Sequence, residues 1–174
     1  SDDPIDFAAD GLDLALMIHD LPDSSLIQKK LGEVVFSLCA APDYLQNHDK
    51  INTPDDLAQH RFISPLKKYP QTSVILRKKG RKKDQSYPIN PQLQANDIRT
   101  RAAAIYAGIG IGNLPTTEII RGEKEGRLVH ILPEFILRPI PIWSLKTVAR
   151  KNDPRLKLIE KLLIKVGKRM CFEE

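Results

Sequence analysis

Asn96-Asp97-Ile98-Arg99-Thr100-Arg101-Ala102-Ala103-Ala104-Ile105-Tyr106-Ala107-Gly108-Ile109-Gly110-Ile111-Gly112-Asn113-Leu114-Pro115 decides the fold. Asn96 is a good N-cap, because its side chain can accept a hydrogen bond from an orphan amide of the first turn. The alanine-rich run from Ile98 to Ala107 favours helix. Gly108 suits the left-handed position that ends such a helix. Ile109 to Leu114 then reads as a buried strand closed by Pro115. Helix and strand in such quick succession predict an α/β sheet, and ligands of α/β sheets bind beyond the strand carboxyl ends. That places the polar pair Asn96 and Asp97 at a helix N-terminus, where bare amides face a ligand.

The same pattern continues on both sides. Asp13 to Ile18 reads as a buried strand, Asp20 to Ser25 as a loop, and Val34 to Ala41 as a strand ended by Pro42. Pro42 to Leu45 starts a helical turn. Thr53-Pro54-Asp55-Asp56-Leu57 is a helix start, with Thr53 as cap and Asp56 completing a capping box. Asp55 and Asp56 are therefore capping groups, not a catalytic pair. Arg61 to Ile63 leads as a strand into Ser64-Pro65. Ile140 to Val148 is a further strand, and Asp153-Pro154 opens a helix. On that helix Leu156, Ile159, Leu162, Leu163, Val166 and Met170 recur at helical spacing, which predicts a face packed on a core.

With 174 residues the chain has room for one domain or two small lobes. No apolar run approaches a membrane span, and the acidic start Ser1-Asp2-Asp3-Pro4 shows no signal peptide. Cys39 sits in an apolar run and reads as a small core residue. The net charge is +5, and much of the excess lies in Arg77-Lys78-Lys79-Gly80-Arg81-Lys82-Lys83. This run reads as a solvated hairpin tip with Gly80 in its turn. The competing reading is a nucleic-acid patch, although no aromatic residue is interleaved to stack bases.

Enzyme signatures are missing. Gly108, Gly110 and Gly112 follow a helix instead of joining a strand to one, so they do not make a dinucleotide fingerprint. His19, His48, His60 and His130 have no metal-ligand spacing, and no serine sits in a nucleophile elbow. The expectation is no catalytic residue, no metal and no cofactor. What remains is an α/β body with polar groups at strand ends, the design of a small-molecule cleft.

Six segments in order resemble the effector-binding domain of LysR-type transcriptional regulators. They are Gly11 to Ile18, Leu38 to Leu45, Thr53 to Arg61, Ala95 to Asp97, Ala107 to Pro115 and Gly126 to Val129. The resemblance implies a two-lobe α/β fold like a periplasmic binding protein of type II. Lobe one would comprise residues 1–38 and 141–174, and lobe two residues 39–140. It also implies that Ser1 falls just after the family's first strand, helix and strand, leaving lobe one incomplete at its N-terminus. Many relatives carry arginine where Met17 stands, and a thioether cannot clamp a carboxylate in two places.

The resemblance predicts a cytoplasmic, effector-sensing domain of a bacterial regulator that is neither an enzyme nor a membrane protein. The full-length protein would be a homo-oligomer, touching DNA only through an N-terminal helix-turn-helix that this sequence lacks. The alternative is a transporter's solute-binding protein on the same fold. Strand ends and helix starts place the expected effector cleft at His19, Ser64, Asn96, Asp97 and Pro115.

Overall fold

The computed structural model describes residue 7 and residues 11–18, 25–66 and 71–171. In chain order the elements are β1 (Ala15–Ile18), β2 (Ile27–Val34), β3 (Phe36–Ala40), α1 (Pro42–Gln46), a 3-10 helix (Pro54–Gln59) and β4 (Arg61–Ser64). There follow β5 (Ser73–Lys78), β6 (Gln85–Pro88), β7 (Asn90–Gln94), α2 (Ile98–Tyr106), β8 (Ile111–Pro115) and α3 (Thr116–Lys124). The chain ends with β9 (Val129–Ile131), β10 (Phe135–Leu137), β11 (Ile140–Lys146), a 3-10 turn (Val148–Arg150) and α4 (Pro154–Cys171). Two compact units result. Unit 1 is Ser1–Val34 with Pro139–Glu174, and unit 2 is Val35–Arg138.

Unit 1 is a three-stranded antiparallel sheet, β1-β11-β2, with α4 packed on β2. The expected strand Val34 to Ala41 is two strands meeting at Val35. Its first part is the end of β2, which pairs with β11 from Ile27↔Lys146 to Val34↔Ile140. The helix after Asp153 forms, and its expected apolar face holds only in part: Leu156 is buried and Leu163 half-buried, Ile159 and Leu162 are not, and the side chains of Val166 and Met170 lie outside the described residues. Leu156 and Glu160 are buried, whereas Ile159 is 41% and Leu162 54% exposed. Polar anchoring sets the rotation of the helix. Glu160 is 1% exposed and accepts from Ser144 Oγ at 2.9 Å, Lys146 Nζ at 2.9 Å and Lys29 Nζ at 3.0 Å. A buried carboxylate with three donors holds its face of α4 against the sheet, which turns Ile159 and Leu162 outward.

Unit 2 holds a five-stranded sheet, β7-β4-β8-β3-β9, and a three-stranded sheet, β10-β5-β6. The β7, β4 and β8 strands run parallel, and β3 runs antiparallel to β8 and β9. One core lies under Tyr44, Leu57, Phe62, Leu76 and Ile111, and a second under Cys39, Ile63, Ile105, Leu114 and Ile119. Cys39 is fully buried, and burial pushes its thiol up to about 12, so it behaves as the small apolar residue expected. The capping box before the 3-10 helix is present, with Asp56 Oδ2 accepting from Thr53 N at 2.8 Å.

The glycines after α2 have structural work. Gly108 has φ +70 and ends α2 in a Schellman arrangement. Its N–H donates to Ile105 O at 3.0 Å, and Ile109 N–H donates to Ala104 O at 3.1 Å. Those bonds hold Ile109 at the end of the helix, so β8 starts at Ile111 and not at Ile109. A Cβ on Gly110 would stand 2.5 Å from Arg61 O, and one on Gly112 2.9 Å from Ile63 O.

Two outcomes are expected from this packing. Gly110→Ala should lower stability by about 1–3 kcal/mol, because the contact is with backbone that cannot turn away, as measured by urea unfolding. Glu160→Ala should cost about 3–5 kcal/mol by leaving a buried ammonium uncompensated. Burial raises the Glu160 carboxyl, but Lys146, Lys29 and Ser144 outweigh that and hold it below its ordinary value. Its folded pKa thus lies below the unfolded value of about 4.3. The contribution is complete above that value and is lost as pH falls through the folded one. The stability difference between the wild type and Glu160→Gln should therefore shrink on acidification across that window.

Candidate functional site

Because β7, β4 and β8 are parallel neighbours, their carboxyl ends form one edge of the five-stranded sheet. Ser64, Gln94 and Pro115 end these strands. The register sets Ser64 beside Gln94, and Ile63 beside Gly112. The amino end of β3 returns to the same edge, with Phe36 opposite Pro115. Two helices begin there, α2 after β7 and α3 directly after β8. The edge therefore offers two helix N-termini and the polar groups between them, an arrangement that favours negative charge.

The expected residues occupy this edge in different ways. Ser64 is fully buried, and its Oγ accepts a long bond from Gln94 Nε2 at 3.4 Å. Its carbonyl accepts from Ala95 N at 3.2 Å, which continues the β4–β7 ladder toward α2. Asn96 is exposed and is not the cap of α2. Asp97 takes that role, accepting from Thr100 N at 2.9 Å and Thr100 Oγ1 at 3.0 Å. A carboxylate is a stronger acceptor than an amide oxygen, and helical geometry starts at Ile98, so the cap falls one residue later than expected. The backbone N–H of Thr100 is the main cause of the lowered Asp97 pKa. Pro115 ends β8 and precedes α3. It lines a mostly apolar groove of about 430 Å³ between α2 and α3, with Ile98, Ala102, Tyr106 and Leu114. His19 lies outside the described residues.

Ser37 and Thr116 belong to the edge but were not expected there. Their hydroxyl oxygens are 2.9 Å apart, and Thr116 N donates to Val35 O at 2.9 Å. This pair uses up the first amide of α3 and ties it to the start of β3. Each helix start is thus partly occupied, α3 by the Val35 carbonyl and α2 by its Asp97 cap.

Arg101 is the residue that the sequence reading missed. It is 7% exposed, yet its Nε and Nη1 have no hydrogen-bond partner among the described residues. Side chains on a helix lean toward its N-terminus, and Arg101 lies one turn after the Asp97 cap of α2. The electrostatics agree. Burial lowers the Arg101 pKa, and the Asp97 carboxylate at the N-cap opposes that shift. Arginine keeps its charge under such burial, so the edge holds a cation with unspent donors. The signal was available in the sequence. Positions 101, 104 and 105 share one face of α2, and Ala104 and Ile105 are core residues. A charged residue on that stripe is an exception needing a partner.

The LysR substrate-binding domain model matches residues 1–168. The chain belongs to that family. A probable HTH-type transcriptional regulator, LtrA, of Klebsiella pneumoniae is 35% identical over 134 residues, 77% of this chain and 43% of that protein. An HTH-type transcriptional regulator of Haemophilus influenzae is 33% identical over 135 residues, 78% of this chain and 46% of that protein. The chain thus spans less than half the length of these regulators. Among solved structures, the full-length Vibrio cholerae virulence activator AphB matches with a TM-score of 0.76 at 24% identity, covering 94% of this chain and 55% of that one. The CrgA regulatory domain of Neisseria meningitidis matches at 0.73 and 23%, covering 91% and 77%. These two likenesses show the fold, the type II periplasmic-binding-protein-like fold of LysR-type regulatory domains. The family and these relatives favour a regulator's domain over a transporter's solute-binding protein. No helix of the described residues is long and apolar enough to cross a membrane.

An unpaired buried charge destabilises the ligand-free state. Arg101→Leu should therefore raise the melting temperature of the free chain, by the equivalent of about 1–4 kcal/mol. A fall in melting temperature would mean that the guanidinium is already satisfied.

Proposed function

We propose that this LysR substrate-binding domain senses a small effector bearing an anionic group, bound at the carboxyl edge of the five-stranded sheet in unit 2. The observation that carries the reading is Arg101, a buried residue one turn into α2 whose Nε and Nη1 have no hydrogen-bond partner among the described residues. An anion there would meet the Arg101 donors and the positive end of α2 together. Ser64 and Asn96 would supply the neutral hydrogen bonds that fix the rest of the molecule, and Pro115 would act at the periphery. Asp97 has its own cap to serve, and its charge sets how closely an anion can approach.

Units 1 and 2 are, in this reading, the family's two regulatory subdomains. The domain carries no chemistry of its own and needs no cofactor. In the cytoplasm it regulates a homo-oligomeric DNA-binding protein whose sequence-reading part lies outside this chain. Regulation requires that the effector bind one state of the protein more tightly than another. A tenfold shift in that balance takes a differential of about 1.4 kcal/mol, less than one charge-assisted hydrogen bond provides.

Thermal melting and calorimetry with matched probes test this. A panel of small carboxylates and their neutral amides, such as benzoate with benzamide and succinate with succinamide, should contain carboxylates that stabilise the chain where the amides do not. Arg101→Leu should weaken such a carboxylate by roughly 10- to 100-fold, the loss of about 1.5–3 kcal/mol for a charged hydrogen bond, and Ser64→Ala and Asn96→Ala by roughly 2- to 10-fold, about 0.5–1.5 kcal/mol for a neutral one. Affinities unchanged in all three variants would remove the effector from this edge.

A further inference from the structure

The β5–β6 hairpin carries charge that effector sensing does not use. Its last register pair is Leu76↔Gln85, so residues 77–84 form the tip. Arg77, Lys78, Lys79, Arg81, Lys82 and Lys83 put six cations into that tip, against a net charge of +5 for the whole chain. Gly80 turns it with φ +76, and Arg81 N–H donates to Lys78 O at 3.0 Å. The base of the tip is held. Lys78 pairs with Phe135 of β10, and Lys79 N–H donates to Glu134 O at 2.8 Å. Every residue from Lys78 to Ser86 is exposed. Arg77 has an acid within reach, Asp84 at 3.7 Å. Lys79, Arg81, Lys82 and Lys83 make no ion pair among the described residues.

Three partners could answer such a surface, and the residue types separate them. A protein partner needs an apolar or aromatic centre to desolvate, and Lys78 to Ser86 contains none. Single-stranded nucleic acid needs aromatic faces for its bases, and none is exposed at the tip. Duplex DNA needs only cations at the spacing of its phosphates, presented on something narrow. A two-stranded ribbon is narrow enough to meet a groove. A turn of lysines and arginines contains no planar amide pair to read base edges, so contact would be with the backbone. We propose that the tip of the β5–β6 hairpin is a sequence-independent binding surface for the phosphate backbone of duplex DNA.

The test is fluorescence anisotropy of a labelled duplex of scrambled sequence with the 174-residue chain at rising NaCl. Binding should be weak, about 10⁻⁴ to 10⁻⁶ M, and log K should fall against log salt with a slope of roughly −3.6, about −0.9 for each of four phosphates. The combined variant Lys79→Gln, Arg81→Gln, Lys82→Gln and Lys83→Gln should melt as the parent does, bind at least about tenfold more weakly at low salt, and lose most of the slope. A control variant, Lys50→Gln, Lys124→Gln, Lys151→Gln and Lys161→Gln, removes the same formal charge from exposed sites elsewhere and should keep both affinity and slope. Equal losses in the two variants would reduce the effect to net charge and overturn the proposal. So would tighter binding of a single-stranded oligonucleotide with the same number of phosphates. Competition by polyglutamate as strong as that of unlabelled duplex would also overturn it, in favour of an acidic protein.

Discussion

The close approach of two backbones at Gly110 and Gly112 is the constraint on which unit 2 depends. The β8 strand can lie parallel to β4 only because nothing stands where a Cβ would meet Arg61 O and Ile63 O. The Schellman turn at Gly108 delivers the chain from α2 into that position within three residues. Helix α2 is thereby laid across the sheet with Ile105 against Gly112. With α2 so placed, its N-terminus lies at the same edge as the ends of β4 and β7, the edge proposed above for the effector. Three glycines that resemble a phosphate-binding loop are thus devices for packing a helix and two strands, and the ligand edge is at the other end of the same helix.

The two units treat buried charge in opposite ways. In unit 1 the Glu160 carboxylate is enclosed by two ammonium groups and a hydroxyl, so the charge locks α4 to its sheet. In unit 2 the Nε and Nη1 of the buried Arg101 have no hydrogen-bond partner among the described residues. A satisfied buried ion specifies a packing arrangement. An unsatisfied one costs stability in the free state and recovers it when an anion arrives. The difference separates a residue that holds the fold from one that, in the proposed reading, would meet a ligand, although both are buried on helices.

Much of this was legible in the sequence because local chemistry and tertiary demand agree. Thr53-Pro54-Asp55-Asp56 caps whatever its surroundings, Gly108 ends a helix by its own φ, and Pro42 stops a strand by lacking a donor. The strands that escaped notice lack such agreement. The β2 sequence Ile27-Gln28-Lys29-Lys30-Leu31-Gly32-Glu33-Val34 is half-buried along nearly its whole length, so no alternation of apolar and polar residues marks it. The outward turn of Ile159 and Leu162 was hidden for a related reason. An apolar stripe gives a helix its periodicity, but a single buried carboxylate with partners on β2 and β11 decides which side faces inward. At the candidate site, strand ends were readable from prolines and turns. Arg101 was marked in the sequence only as a charge on the core face of α2; that two of its nitrogens have no partner among the described residues shows only in the structure.

Position alone gives the cations of unit 2 two kinds of electrostatics. Arg101 acts in a poorly solvated setting, where one guanidinium is worth several exposed charges and dissolved salt screens little. In the proposed reading its specificity would come from geometry, a planar fork meeting one small anion. The hairpin tip is fully solvated, where each lysine contributes little and the Debye length of about 10 Å at 0.1 M salt cuts off distant help. Strength there comes only from number, and number cannot distinguish one phosphate from the next. The buried cation is therefore suited to recognising a molecule, and the exposed cluster to remaining near a polymer. Salt should separate the two, weakening attachment at the tip while leaving recognition at the edge nearly unchanged.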